Sequence, residues 1–379
     1  MSHGAPNHVN LAKPSELRAL TGLRGVGSLW VFFHHINLFS YGTNKGLHLL
    51  AIGYVGVDLF FLLSGFVMCA SKWRALAAPD LRAYRRFVAE RITRIYPANA
   101  AVLVLFAAVA SLYPAVWDNT APYLSSPTSF ASNLLLLQFW VPLPLGAWNQ
   151  PSWSVSAEIG AYLALPALLA CLRPIRQSKL ALAAAAAAVL LALVLILLAV
   201  GAPDLNVKVR GGLLRLVFEF TAGGCLFAAW RAGLRLPTWP ATLLTILLLA
   251  GAILLPQAGA NFLFLPAFAL LVLLCAQDQN PLATLLASRP AVAFGRISYS
   301  LYLVHWPVLM IWFRATTGLP GAAHSLPSPP ALAALTTITL LLAIVIHLAV
   351  EAPSHRLARR ITQAGRQSAP PVLATAPGV

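Results

Sequence analysis

Long apolar runs broken by short polar segments recur from one end of the chain to the other, and that rhythm sets the architecture. A helix needs about 20 consecutive apolar residues to cross a bilayer. Runs close to that length fall at residues 21–42, 50–70, 95–113, 153–172, 180–200, 211–230, 239–256, 261–276, 297–315 and 330–350. They predict an all-α polytopic membrane bundle of about ten transmembrane helices. A further apolar stretch from Phe130 to Val141 is too short to cross and reads as a re-entrant or interfacial piece. The run ALAAAAAAVLLALVLILLAV in the fifth segment carries no ionisable group, which suits a structural or lipid-facing helix.

Charge orients this pattern. With ten spans, 21 of the 26 Lys and Arg residues collect on one face, leaving Lys45, Lys208, Arg210, Arg215 and Arg314 on the other. Basic loops stay inside, so both termini are expected in the cytoplasm of a multi-pass inner-membrane protein. The division is then a cytoplasmic segment at 1–20, a membrane domain at 21–351, and a basic, then disordered, cytoplasmic tail at 352–379. The first twenty residues lack an apolar core with a cleavage site, so no cleaved secretory leader is expected. Residues 114–152 hold no Lys or Arg and read as an outer loop long enough to shape an outward site.

Composition agrees: 59% of the 379 residues are hydrophobic and 9% charged, against about 25% charged in soluble domains. The net charge of +16 is mostly topology, and no nucleic-acid module accompanies it. Cys69, Cys171, Cys225 and Cys275 lack metal-ligand spacing and read as small buried hydrophobes. No metal site is expected.

Ionisable residues inside apolar runs are costly and usually serve a function. Arg24 and His35 stand eleven positions apart in the first run, so a helix brings them to one face about 16 Å apart. Asp58 in the second run reaches a depth comparable to His35, where it could orient the imidazole and stabilise its charged form. Glu158 enters the fourth run at similar depth, completing a candidate acid/base cluster. His34 points elsewhere and reads as a packing neighbour. Arg91 and Arg94 share a helix face at the start of the third run. With Arg24 at the same level, they suit phosphate oxygens, which guanidinium groups grip in a fork. Arg82, Arg85 and Arg86 read as anchors to anionic lipid. Arg215 with Glu219, and His347 with Glu351, are spaced four apart as structural pairs. His305 is divided between ligand contact and packing.

The segments LTGLRGVGSLWVFFHH, GVDLFFLLSGFVM, RITRIYP, PSWSVSAEIGAYL and FGRISYSLYLVHWPV occur in an order and spacing that resemble the membrane acyltransferase family 3 over residues 16–360. The resemblance implies that 21–351 is an acyltransferase domain. Its co-substrate would be acyl-CoA, by default acetyl-CoA. The acyl group would pass to a hydroxyl of a carbohydrate, glycolipid or small molecule. It implies that His35 is essential to transfer, with Arg24 in the same motif, that Arg91 and Arg94 hold the donor, and that Asp58 and Glu158 fill the family's acidic positions. General-base and acyl-histidine mechanisms both remain open. The chain departs from the family at Thr21, where Asp is frequent, and at Ile159, where a second Glu is common. The membrane's lipids are expected partners, and homo-oligomerisation is left open. The alternative reading is a proton-coupled transporter of a sugar, lipid-linked glycan or metabolite.

Overall fold

The protein is described by a computed structural model covering residues 17–42, 45–73, 75–76, 80–112, 126–141, 148–207, 209–255, 259–277, 280–317 and 325–367. Among the described residues every regular element is helical. The principal ones are α1 (Arg18–Tyr41), α2 (Gly56–Lys72), α3 (Leu81–Leu112), α4 (Pro127–Leu134), α5 (Trp153–Leu172) and α6 (Lys179–Ala199). They continue with α7 (Val209–Arg231), α8 (Thr238–Leu254), α9 (Phe264–Ala276), α10 (Arg289–Thr317), α11 (Pro329–Ile346) and α12 (Ala352–Gln367). Each apolar run read from the sequence coincides with one of these helices. The Phe130–Val141 stretch forms the end of the eight-residue α4 and a turn at Leu136, whose φ is 55°.

Among the described residues, six helical stretches are long and apolar enough to cross a membrane: His48–Lys72, Leu81–Leu112, Gln150–Leu172, Lys179–Ala199, Gly211–Arg231 and Pro329–Ile361. The chain is a membrane protein. Notably α1 and α10 fall outside that set although they are 24 and 29 residues long. They carry the Arg and His residues that lower apolarity.

Those two helices pack along each other as a parallel pair. Small residues make the approach possible: a Cβ on Gly25 would come within 2.9 Å of the Gly295 nitrogen, and one on Gly295 would overlap the Thr21 carbonyl. Dispersion between close backbones is a main source of helix association in lipid, where no hydrophobic drive separates helix from solvent. A second parallel pair, α2 and α7, is built the same way. A Cβ on Gly65 would overlap the Phe220 carbonyl, and one on Gly223 the Leu62 carbonyl.

Pro307 lies inside α10 and removes the N–H that would serve the Leu303 carbonyl four residues earlier. Asn149 replaces it, its Nδ2 donating to that oxygen at 2.8 Å. An orphaned carbonyl in a membrane interior is costly, so this bond keeps α10 continuous beside His305. After α11 the backbone widens into one π-helical turn, His347–Glu351, before α12 begins. The segment 352–367, expected as a tail, is thus a helix laid along α3. Residues 368–379, expected to be disordered, lie outside the described residues, as do 113–125 and 142–147 of the expected outer loop. Cys69, Cys225 and Cys275 are buried as expected, whereas Cys171 is exposed near the end of α5, and all four are free.

Candidate active site

A cavity of about 160 Å³ opens between α1, α2, α3, α5 and α10, closed on one side by the π-turn and the start of α12. Arg24, Arg91 and Arg94 line it together with Glu158, Tyr162, Ser64, Tyr299, Tyr302, Glu351 and His355. The three expected donor-binding arginines and one of the expected carboxylates therefore converge on one space.

Their partners differ. Arg24 makes no hydrogen bond or ion pair among the described residues and is half-buried at the cavity wall. Arg91 donates through Nη2 to Glu90 Oε1 at 2.7 Å, and Glu90 in turn meets Lys72 Nζ at 2.5 Å. The Arg91 Nε is buried without a hydrogen-bond partner. Arg94 donates through Nε to His355 Nε2 at 3.1 Å. Glu351, 2% exposed, accepts from Ser300 Oγ at 2.6 Å and pairs with His347 Nδ1 at 2.9 Å, as its spacing foretold. The π-turn places Glu351 against the cavity, and such turns often mark functional sites. Glu158 accepts a hydrogen bond from Ser64 Oγ, which also lies 3.3 Å from the Tyr162 hydroxyl.

Asp58 does not meet His35. It is enclosed between α2 and α7, where Arg215 donates from Nε to Oδ1 at 2.7 Å and from Nη2 to Oδ2 at 2.5 Å. The Asp58 side chain is fully buried and that of Arg215 is 5% exposed. The physical reason is the glycine contact, which brings the two helix faces together and sets Asp58 within direct bonding distance of Arg215. Arg215 is consequently not the partner of Glu219, as its spacing suggested. Glu219 sits beside both charges, fully buried and without a well-formed hydrogen bond of its own.

His35 finds His305 instead, with its Nδ1 3.0 Å from His305 Nε2. The two rings are 4.9 Å apart, and Trp306 meets His35 edge-on at 5.2 Å. His34 bonds the Leu50 carbonyl at 3.0 Å and packs on Tyr54, in keeping with a packing role. Neither His35 nor His305 lines the cavity. Tyr302 lines it and lies 5.7 Å from the His305 ring, with its hydroxyl donating to the Pro151 carbonyl at 2.7 Å. His355, Ser64, Tyr162 and Tyr302 carry no mark in the sequence, where a lone Tyr or Ser in an apolar run gives little signal.

An acyltransferase-domain family model, that of family 3, matches residues 17–348. The acyltransferase MdmB of Streptomyces mycarofaciens is 30% identical, covering 91% of this chain and 93% of that protein. The putative peptidoglycan O-acetyltransferase YrhL of Bacillus subtilis is 26% identical over 77% of the chain. The peptidoglycan O-acetyltransferase OatA of Listeria monocytogenes is 25% identical over the same share. The chain spans 48% and 49% of the lengths of these last two. No solved structure matches.

Proposed function

The chain belongs to acyltransferase family 3, and from that premise we propose that it moves an acyl group, acetyl by default, from cytoplasmic acyl-CoA to a hydroxyl of a carbohydrate or related acceptor at the outer face. It does so as a multi-pass protein of the inner membrane, with about ten spans and both termini inside. The observation that carries this reading is the convergence of Arg24, Arg91 and Arg94 at one cavity, whose wall includes Tyr302, a neighbour of His305.

Three guanidinium groups at one end of a narrow cavity fit a diphosphate, and the unpartnered Arg91 Nε and Arg24 leave donors for it. The cavity's 160 Å³ suits a slender arm rather than a nucleotide, so the nucleotide stays at the cytoplasmic mouth and the pantetheine enters. Tyr302 must swing off the Pro151 carbonyl for the thioester to reach His35. A neutral His35 then takes the proton of the acceptor hydroxyl as its oxygen attacks the thioester carbonyl. The tetrahedral intermediate collapses with cleavage of the C–S bond, and the departing thiolate takes the proton back from the imidazolium. Glu158, at the cavity wall, positions the acceptor or the donor's acyl end. Asp58 acts at a distance, by holding α2 against α7.

The test uses inverted membrane vesicles carrying the full chain, given radiolabelled acetyl-CoA with lipid-linked and peptidoglycan fractions. Wild type is expected to move label to one fraction, and His35→Ala and the Arg91→Ala/Arg94→Ala pair are expected not to at equal expression. Full activity in His35→Ala would overturn the assignment of the base. Failure of wild type to consume any acyl-CoA would overturn the donor.

A further inference from the structure

We propose that His305 is a positioning residue that selects the tautomer of His35, leaving Nε2 of His35 as the bare nitrogen that takes the acceptor's proton. The inference rests on the reading of His35 as the base.

The argument follows from which groups can donate. His305 Nδ1 lies 3.1 Å from the Leu301 carbonyl oxygen, one turn earlier in α10. A carbonyl only accepts, so this bond requires the proton to sit on His305 Nδ1. Neutral His305 then offers a lone pair at Nε2, and that atom is 3.0 Å from His35 Nδ1. The second bond therefore requires a proton on His35 Nδ1. A neutral His35 with its proton there has an unprotonated Nε2. The Leu301 carbonyl sets the proton on His305, and the His35 ring also has the Val31 carbonyl, one turn earlier in α1, as a backbone partner.

Helix packing makes this arrangement rigid. Gly25 opposes Gly295 and His35 opposes His305, an offset of 270 residues in both cases (295 less 25, and 305 less 35). Two parallel helices locked at the glycines thus arrive in register at the histidines, ten residues further along each. His305 is 1% exposed and enclosed by Phe32 and Tyr302, so its ring cannot turn freely. His35 keeps part of its surface open. The closed ring suits a holder and the open one suits the group that meets substrate.

The contact also changes during reaction. When Nε2 of His35 accepts the hydroxyl proton, the ring becomes an imidazolium and its Nδ1–H faces the His305 lone pair. The hydrogen bond becomes charge-assisted and gains strength where the positive charge develops. His305 thus offers a neutral acceptor at the place where the sequence suggested Asp58.

The experiment compares His305→Gln, His305→Asn, His305→Leu and His35→Ala, each in the full chain in vesicles, by label transfer from acetyl-CoA. Gln places its amide oxygen near the position of Nε2 and keeps an acceptor for His35. Asn reaches only the position of Nδ1, and Leu fills the space without an acceptor. Retention of kcat within about tenfold is expected for Gln, and a loss of about 100-fold or more for Asn and Leu, with KM for acetyl-CoA unchanged in all three. Equal kcat in Gln and Leu, or a loss confined to KM, would overturn the role of His305. If Asn does not fold, the comparison of Gln with Leu decides the matter. Persistent transfer in His35→Ala would instead remove the base on which the inference rests, and is read separately.

Discussion

Arg215→Met tests whether the buried pair between α2 and α7 is a clamp or part of the chemistry. In the wild type, Arg215 gives Asp58 two charge-assisted bonds at 2.7 and 2.5 Å, and Glu219 lies beside them. Removing the cation leaves two carboxylates facing each other in a site with almost no solvent exposure. Breaking one side of a buried pair costs about 3–5 kcal/mol, and the figure applies undiscounted because Asp58 is fully buried and Arg215 nearly so. Asp58→Asn should cost less, since Glu219 remains to neutralise Arg215. The double change Asp58→Asn/Arg215→Met should recover part of the Arg215→Met loss, because one of the stranded carboxylates is gone. The assay is reversible unfolding in mixed micelles with increasing denaturing detergent, comparing midpoints at constant slope. Arg215→Met within about 1 kcal/mol of wild type, combined with loss of acyl transfer, would refute the clamp and return Asp58 to the chemistry.

Two further outcomes follow from the same geometry. Gly295→Ala drives a methyl into the Thr21 carbonyl; overpacking of this kind costs about 1–3 kcal/mol. Because the wedge lies ten residues from the His35–His305 contact, displacement there should lower kcat about 100-fold, and unchanged kcat would show that the glycine contact does not set the register. Glu158→Gln keeps an oxygen for Ser64 Oγ but removes the charge from the cavity wall. It should leave the unfolding midpoint within about 1 kcal/mol while lowering kcat about 100-fold or more, and loss of both together would mark Glu158 as a packing residue.

Which parts of this arrangement the sequence disclosed depends on the range over which each contact acts. Helix formation and burial in lipid are read out over about 20 residues, so each apolar run marked a helix, whereas the polar α12 was missed. Arg91 and Arg94, three residues apart on one turn, and His347 with Glu351, four apart, are local in the same sense. Arg215 with Glu219 met the same spacing rule and failed it. An i,i+4 pair on a helix is worth only about 0.2–0.5 kcal/mol, whereas a two-pronged bond to Asp58, 157 positions away, forms in a buried setting that Gly65 and Gly223 create. Weak local pairing yields to a strong distant partner whenever helix packing supplies one, and packing is a property of two segments at once.

The same logic explains why Asp58, though at the depth of His35, does not touch it. Depth fixes one coordinate of a side chain, and the azimuth of its helix fixes another; only the neighbour fixes the third. For His35 that neighbour carried a trace in the chain. Gly25 precedes His35 by ten positions in LRGVGSLWVFFHH, and Gly295 precedes His305 by ten in FGRISYSLYLVH. Two helices that share the spacing from a close-contact glycine to a histidine will, if parallel and crossing at the glycines, bring the histidines opposite each other. The equal spacing therefore predicts the dyad, but only once the pair of helices is known to be parallel. Asn149 shows the opposite limit. Its service to the Leu303 carbonyl depends on Pro307 having removed a backbone donor, and nothing in the residues around Asn149 points to a helix 154 positions away. Contacts that repair a neighbour's backbone leave no periodic mark of their own, so they enter the account only with the fold.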